Sequence, residues 1–252
     1  MSYLSIINSK TDNFNKTITV DGDKSISIRW VLLASLSNGT SKAKNLLLSE
    51  DVLATIKAVN KLGIKSELKN KNCKIYGRGI SGYKYKKNLT INAQNSGTLG
   101  RLLLGFLINT PYPIKLVGDS SLSKRDFKRI TDPLSKFGAK FKLKNNMNLP
   151  LTIQGLSNPK AIKYIEKKGS AQVKSSIIFA GMRSNGTTII KAKNSRTHTE
   201  VMCKNLSLPV RVRRKKNYDE ISVEKVRKIK KLNYNIPSDI SSSAFFIVLT
   251  VL

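Results

Sequence analysis

The sequence predicts an α/β protein assembled from repeated units. A helix-like apolar run opened by small polar residues recurs four times, the intervening segments repeat one order of elements, and turn residues stand at matching places. The runs are Ser25 to Leu36, Ser96 to Ile108, Ser170 to Met182 and Ser241 to Leu252, their starts 71, 74 and 71 residues apart. Units of this size bury their apolar faces against one another rather than alone.

Each run is long and apolar enough for a helix, and after the first three a breaker ends it: Asn38-Gly39-Thr40, Thr110 to Pro113, and Asn185-Gly186-Thr187. A strand follows in each unit, AKNLLL, IKLVGD and TIIKAK. Ser49, Ser123 and Ser195 then read as N-caps of a second, amphipathic helix, because a serine side chain satisfies a free amide at a helix start. Leu62-Gly63 and Phe137-Gly138 mark two helix ends. Two strand-like runs around a polar loop come next: KSELKNKNCKIYG, AKFKLKNNMNLPLTIQG and VRVRRKKNYDEISV. Extended runs (TITV, LTIN, AIKYI, LNYNI) lead into the four leading helices. The order helix, strand, helix, hairpin, strand implies a cyclic layout with one sheet and two helices per unit.

With 252 residues, 40% of them hydrophobic and 24% charged, the chain can bury a sizeable core. No stretch approaches the roughly 18 apolar residues of a membrane span, and MSYLSIINSKTDNF lacks a signal-peptide pattern. The cytoplasm is the expected compartment. Cys73 and Cys203 have no metal-like spacing and read as free thiols. The net charge of +31 admits nucleic-acid binding or a small-anion site on a lysine-rich surface. Only RVRRKK (Arg211 to Lys216) and KVRKIKK (Lys225 to Lys231) are dense, reading as a solvated hairpin and a solvated helix face, and no aromatic stacking strip accompanies them. Nucleic acid is therefore not the expected partner.

The chemistry lies where the repeats agree, at loops that open helices. GDKSISIR sets Gly22, Lys24, Ser25 and Arg29 around one helix start; NSGTLGR sets Asn95, Ser96, Gly97, Thr98 and Arg101 around the next; GSAQVKS adds Gly169, Ser170, Gln172 and Lys174. The second helices open with SKRD and SRTHT, bringing Arg125 and Arg196. Free backbone amides and the helix dipole favour an anion at such a start, and a cyclic arrangement brings equivalent starts to one end. A phosphate or carboxylate ligand follows.

The strings VDGDKSISIR, NAQNSGTLGRLLLG, GDSSLSKRDFKRITDPLSKFGA, GSAQVKSSIIFAG, NSRTHTEVM and SDISSSAFF, in this order, resemble the 5-enolpyruvylshikimate-3-phosphate synthase family over essentially the whole chain. The resemblance implies an inside-out α/β barrel of βαβαββ units, the enolpyruvyl transferase fold, in two domains. On that division residues 1–21 are a leading segment with the first strand, belonging to the C-terminal domain, 22–237 are a complete N-terminal domain of three repeats, and 238–252 begin the C-terminal domain. It further implies transfer of the carboxyvinyl group of phosphoenolpyruvate to the 5-hydroxyl of shikimate 3-phosphate, with release of phosphate and without metal or organic cofactor, in a protein monomeric when whole.

Carried over by position, shikimate 3-phosphate would be held by Lys24, Ser25, Arg29, Ser170, Ala171, Gln172, Ser195 and Arg196, and phosphoenolpyruvate by Lys24, Asn95, Gly97, Thr98, Arg125 and Gln172. The family's catalytic acid and base lie beyond Leu252, so His198, the single histidine, reads as binding or structural. Asp21, Ile28, Trp30, Gly100, Asp126 and Thr197 depart from the family pattern. The chain would offer one wall of the site, binding without turnover, and AFFIVLTVL would be exposed or frayed for want of a partner. Alternatives are a UDP-amino-sugar enolpyruvyl transferase, whose loop cysteine neither Cys73 nor Cys203 matches, and a non-catalytic anion-binding module.

Overall fold

A computed structural model describes residues 17–251. The first unit runs α1 (Lys24–Ser35), β1 (Ser37–Lys44), α2 (Glu50–Lys61), β2 (Lys65–Lys69), β3 (Asn72–Arg78) and β4 (Leu89–Asn92). The second runs α3 (Gly97–Phe106), β5 (Ile114–Val117), α4 (Ser120–Ser123), α5 (Lys128–Ser135), β6 (Lys140–Lys144), β7 (Asn148–Gln154) and β8 (Lys163–Glu166). The third comprises α6 (Ala171–Gly181), β9 (Thr187–Lys193), α7 (His198–Asn205), β10 (Val210–Arg214), β11 (Tyr218–Glu224), β12 (Ile229–Lys230) and β13 (Asn233–Asn235), and α8 (Ile240–Val251) opens the fourth repeat.

The last strand of each unit pairs with the next unit's sheet. β4 lies parallel to β5 and β8 parallel to β9, while each hairpin completes its sheet antiparallel. β13 returns to pair parallel with β1, in the register Lys42 to Asn233 through Lys44 to Asn235, and this closes the ring. Each unit's own three strands leave an edge unpaired, and the strand crossing from the preceding unit supplies the missing ladder.

Inside the ring stand α1, α3 and α6, apolar on nearly every face; Ile28, Trp30, Leu32, Leu103, Phe106, Ile177 and Phe179 are fully buried. Phe106 and Phe179 stack with centroids 4.3 Å apart and planes at 18°. The sheets bury alternate residues and turn the others to solvent, as β11 does with Asp219, Ile221 and Val223 inward. The arrangement is an α/β barrel with helices inside and strands outside, as expected. Gly63 and Gly138 adopt φ of +86° and +104°, the left-handed conformation that ends α2 and α5.

Several local expectations are corrected. The first strand begins at Ser37, so Asn38-Gly39-Thr40 is part of a ladder with β3 and the strand ends before Asn45, whose φ is 55°. Ser123 closes the short α4 instead of capping a helix; Asp119 is the cap, its Oδ1 accepting from the Leu122 amide at 2.7 Å. Ser195 lies ahead of α7, where Thr197 holds the cap position without a side-chain bond. KVRKIKK is a loop ending in β12, with Val226 and Ile229 turned inward, rather than a helix face. Thr17 to Val20 join no sheet; this stretch is held through the Gly22–Ser238 bridge, a 2.9 Å bond from Ser238 Oγ to the Val20 carbonyl and an ion pair between Asp21 and Lys71. Residues 1–16 of the leading segment lie outside the described residues.

Three departures from the family pattern have a local account. Trp30 Nε1 donates to the Leu232 carbonyl at 3.3 Å. Gly100 makes room for the Phe127 ring, which a Cβ there would meet at 3.3 Å. Asp126 Oδ1 accepts from the Arg129 amide at 3.3 Å as α5 begins. α8 exposes Phe245 at 79% and Leu249 at 58%, as expected for AFFIVLTVL. Among the described residues no helix is long and apolar enough to cross a membrane.

Candidate functional site

The starts of α1, α3, α6 and α7 meet at one end of the ring, and hydrogen bonds between their first turns establish it. Arg29 of α1 donates from Nε to Thr199 Oγ1 at 2.7 Å, from Nη2 to Ser175 Oγ at 3.2 Å and from Nη1 to the Ser25 carbonyl at 2.9 Å. Ser175 in turn donates to the Ala171 carbonyl at 2.7 Å. Gln172 bridges to α3: its Nε2 donates to Thr98 Oγ1 at 3.2 Å and its Oε1 accepts from Arg101 Nη1 at 2.5 Å. Four helix N-termini therefore direct their unbonded amides toward a common region, the electrostatic arrangement that attracts anions.

Local sequence explains each start. Ser96 and Ser170 cap α3 and α6, accepting from the Leu99 and Val173 amides at 3.2 and 3.4 Å. For α1 the cap is Asp23, whose Oδ1 accepts from Ile26 N at 2.7 Å, and this frees Ser25 to line a cleft. That cleft, about 660 Å³, is walled by Asp23, Lys24, Ser25, Arg196, Thr197 and His198 on one side and by Asp239, Ile240 and Ser241 on the other. Lys24 is half exposed and 3.4 Å from Asp51, a loose pair that an anion can outbid. Ser195 Oγ is enclosed without a hydrogen-bond partner among the described residues.

A second group lies around the start of α3. Arg125 Nη2 donates to Asn95 Oδ1 at 2.8 Å. A Cβ on Gly97 would stand 3.2 Å from Arg101 Nη1 and 3.3 Å from Arg125 Nη1, so two guanidinium groups converge on the one position that carries no side chain. Arg101 stacks over Phe127 at 5.4 Å. Burial, with Arg129 and Arg125 nearby, lowers its pKa to about 10, leaving it fully charged at neutral pH. Burial lowers Arg29 to about 10 as well, against the opposing pull of Glu200 and Asp23.

Of the residues anticipated from sequence, Arg125 bonds Asn95 and Gln172 bonds Thr98 on either side of Gly97 at the start of α3, and Lys24, Ser25 and Arg196 line one cleft. Ser170 and Ala171 stand between these groups at the start of α6. Arg29 is 3% exposed and largely committed internally; three of its five N–H donors are bonded. Lys174 is removed from the anion-facing set. Its side chain is fully buried and pairs with Glu200 at 2.6 Å, because position 174 falls one turn inside α6 on the face toward α7. Arg101, named at this helix start but absent from the ligand set carried over by resemblance, belongs to the group as well; its spacing of four from Gly97, one helical turn, is the signal in the sequence.

This is a repeat-built α/β domain with cationic side chains gathered at converging helix starts. The family model described as EPSP synthase (3-phosphoshikimate 1-carboxyvinyltransferase) matches residues 9–252. The chain belongs to the EPSP synthase family. It is 39% identical over 236 residues to a 3-phosphoshikimate 1-carboxyvinyltransferase from Bacillus cytotoxicus, covering 93% of this chain and 54% of that protein. It is 40% identical over 244 residues to one from Caldicellulosiruptor bescii, covering 94% and 55%. The solved EPSP synthase from Acinetobacter baumannii superposes with a TM-score of 0.84 at 37% identity, over 92% of this chain and 52% of that one. The chain thus spans about half the length of the relatives it matches.

Proposed function

We propose that this chain supplies the shikimate 3-phosphate wall, and part of the phosphoenolpyruvate wall, of an enolpyruvyl transferase acting in the cytoplasm. Residues 22–237 form its N-terminal domain, and 238–252 lead into the second. The reaction moves the carboxyvinyl group of phosphoenolpyruvate to the 5-hydroxyl of shikimate 3-phosphate and releases phosphate, by addition and elimination through a tetrahedral intermediate. The observation that carries this reading is the single cleft lined by Lys24, Ser25 and Arg196, joined through α6 to the cluster of Gln172, Arg101 and Arg125.

Two like-charged substrates repel, so fixed positive charge comes before any acid or base chemistry. On this reading Lys24, Arg196 and Ser195 hold the phosphate of shikimate 3-phosphate, and the two spare Arg29 donors reach its ring substituents, with Ser25, Ser170 and Ala171 beside them. Gln172 has its oxygen held by Arg101 and one amide hydrogen on Thr98, which leaves one N–H for a ligand. Arg125, oriented by Asn95, pairs with phosphoenolpyruvate, which Gly97 and Thr98 admit close to the backbone. Bound in this way, the ligands are oriented for attack before any chemistry begins. The acid and base are not among these residues.

Both thiols are buried, which pushes Cys73 up to about 12 and Cys203 higher still, so neither suits the loop-cysteine chemistry of the amino-sugar enzyme. The test is ligand-dependent unfolding. Shikimate 3-phosphate raises the thermal midpoint of the chain in a concentration-dependent way while shikimate and sulfate do so far less; equal effects of all three would reduce the site to a nonspecific anion trap.

A further inference from the structure

His198 opens α7 and lines the same cleft as Lys24, Ser25 and Arg196. Its other side rests in a small cavity against Ile26, Val201, Met202 and Tyr234. The ring is half buried. Desolvation first, then the Arg29 and Arg196 charges, hold its pKa below the usual 6.5, with Asp23 and Glu200 opposing; no hydrogen bond contributes. In the empty cleft the imidazole is therefore neutral at neutral pH, flanked by cations that keep a proton off it.

An incoming phosphate dianion reverses that balance. It neutralises the cations that disfavoured imidazolium and sets acceptor oxygens within the cleft that His198 lines. Resting on the shikimate 3-phosphate reading above, we propose that His198 is a proton-coupled contact for the ligand's phosphate: the imidazole takes up a proton as the anion settles between Lys24 and Arg196, so affinity rises as the pH falls toward 6.

The groups facing His198 allow this to be isolated. They are Asp23, Lys24 and Arg29 from the first unit, Arg196 and Glu200 from its own segment, Tyr234 from β13 and Asp239 ahead of α8. The His198→Gln substitution leaves all of these groups in place, so comparison with it isolates the imidazole; the phosphate ester, with a second pKa of about 6, also changes charge over the range in which imidazole titrates. The free ester titrates in the same way whichever protein it is offered to, so a ratio of affinities between two proteins cancels that contribution.

The chain has a single histidine, so its imidazole resonances are an unambiguous probe. In the free chain they should titrate below about 6.5, and saturating shikimate 3-phosphate should move the midpoint up by about one pH unit, whereas shikimate should leave it in place. A midpoint unmoved while other resonances report saturation overturns the inference and leaves the site reading intact, and an equal rise with shikimate overturns the assignment to the phosphate. Absence of any response to shikimate 3-phosphate overturns the site reading itself and this inference with it. As a second readout, the affinity of the chain relative to His198→Gln should be near one at pH 8 and several-fold at pH 5.5, with a ratio flat in pH counting against proton coupling.

Discussion

Lys174 and Glu200 sit 2.6 Å apart with side chains 0% and 4% exposed, tying α6 to α7 directly beneath the candidate site. Removing either partner leaves a buried charge without compensation. Lys174→Met and Glu200→Gln should each destabilise the chain by about 3–5 kcal/mol, while the double variant Lys174→Met/Glu200→Leu should cost much less, a difference that denaturant titration of all three resolves. Arg196 behaves differently because it is exposed. Arg196→Ala should leave the thermal midpoint unchanged and weaken shikimate 3-phosphate binding about tenfold or more, read by calorimetry. For His198, whose pKa is lowered from 6.5 in the fold, the unfolded chain takes up its proton at higher pH than the folded one. Its contribution to stability is complete above about 6.5 and declines as the pH falls toward the folded value, so in the absence of ligand the thermal midpoint of His198→Gln should fall less than that of the parent between pH 7.5 and 5.5.

At the scale of elements, the crossing of α3 with α6 is the tightest constraint on how the helix starts converge. A Cβ on Gly105 would lie 2.3 Å from the Ser176 carbonyl oxygen, so the two backbones touch where a side chain cannot fit. Ser176 Oγ meanwhile donates to the Arg101 carbonyl at 2.9 Å across the same crossing. Gly105→Ala should force the helices apart and cost about 1–3 kcal/mol in equilibrium unfolding. It should also weaken ligand binding, because Gln172 would lose its register with Thr98 and Arg101. At the opposite end of the ring, Arg183 follows α6, bonded to Asn109 beyond α3 and to the Ile80 carbonyl, with Nε to Asn109 Oδ1 at 2.7 Å. A cation there complements the negative C-terminal ends of α3 and α6. The sequence marked the leading helices well, since each is a long apolar run, and placed Ser49 at the cap position of α2, though its side chain makes no cap bond; it misjudged the caps of the second helices in the other two units. A serine before an amphipathic stretch reads as a cap wherever it falls, whereas at Ser123 the deciding feature was Asp119 four residues earlier, and at Ser195 the loop continued to Thr197.

For the molecule as a whole, on the proposed reading, the described residues supply cations for two anionic ligands, while the two carboxylates of the cleft, Asp23 and Asp239, are engaged as acceptors of the Ile26 and Ser241 amides. Phosphate release from phosphoenolpyruvate and shikimate 3-phosphate should stay at background for this polypeptide alone, even where binding saturates; steady-state release above background would contradict that. The apolar surface of α8, with Phe245 and Leu249 outward, should also promote self-association.

The sequence by itself determined the architecture, because the 71- to 74-residue period and its internal order of elements require a ring of like units. It also marked most of the candidate site, because glycines, serines and basic residues recur together at the helix starts. The tertiary structure alone decided which charges face the cleft. Lys174 and Lys24 each stand near a helix start, yet Lys174 is sealed against Glu200 while Lys24 opens on the cleft. That outcome depends on which neighbouring helix packs over each face, a relation between residues far apart in the chain that spacing along it does not encode.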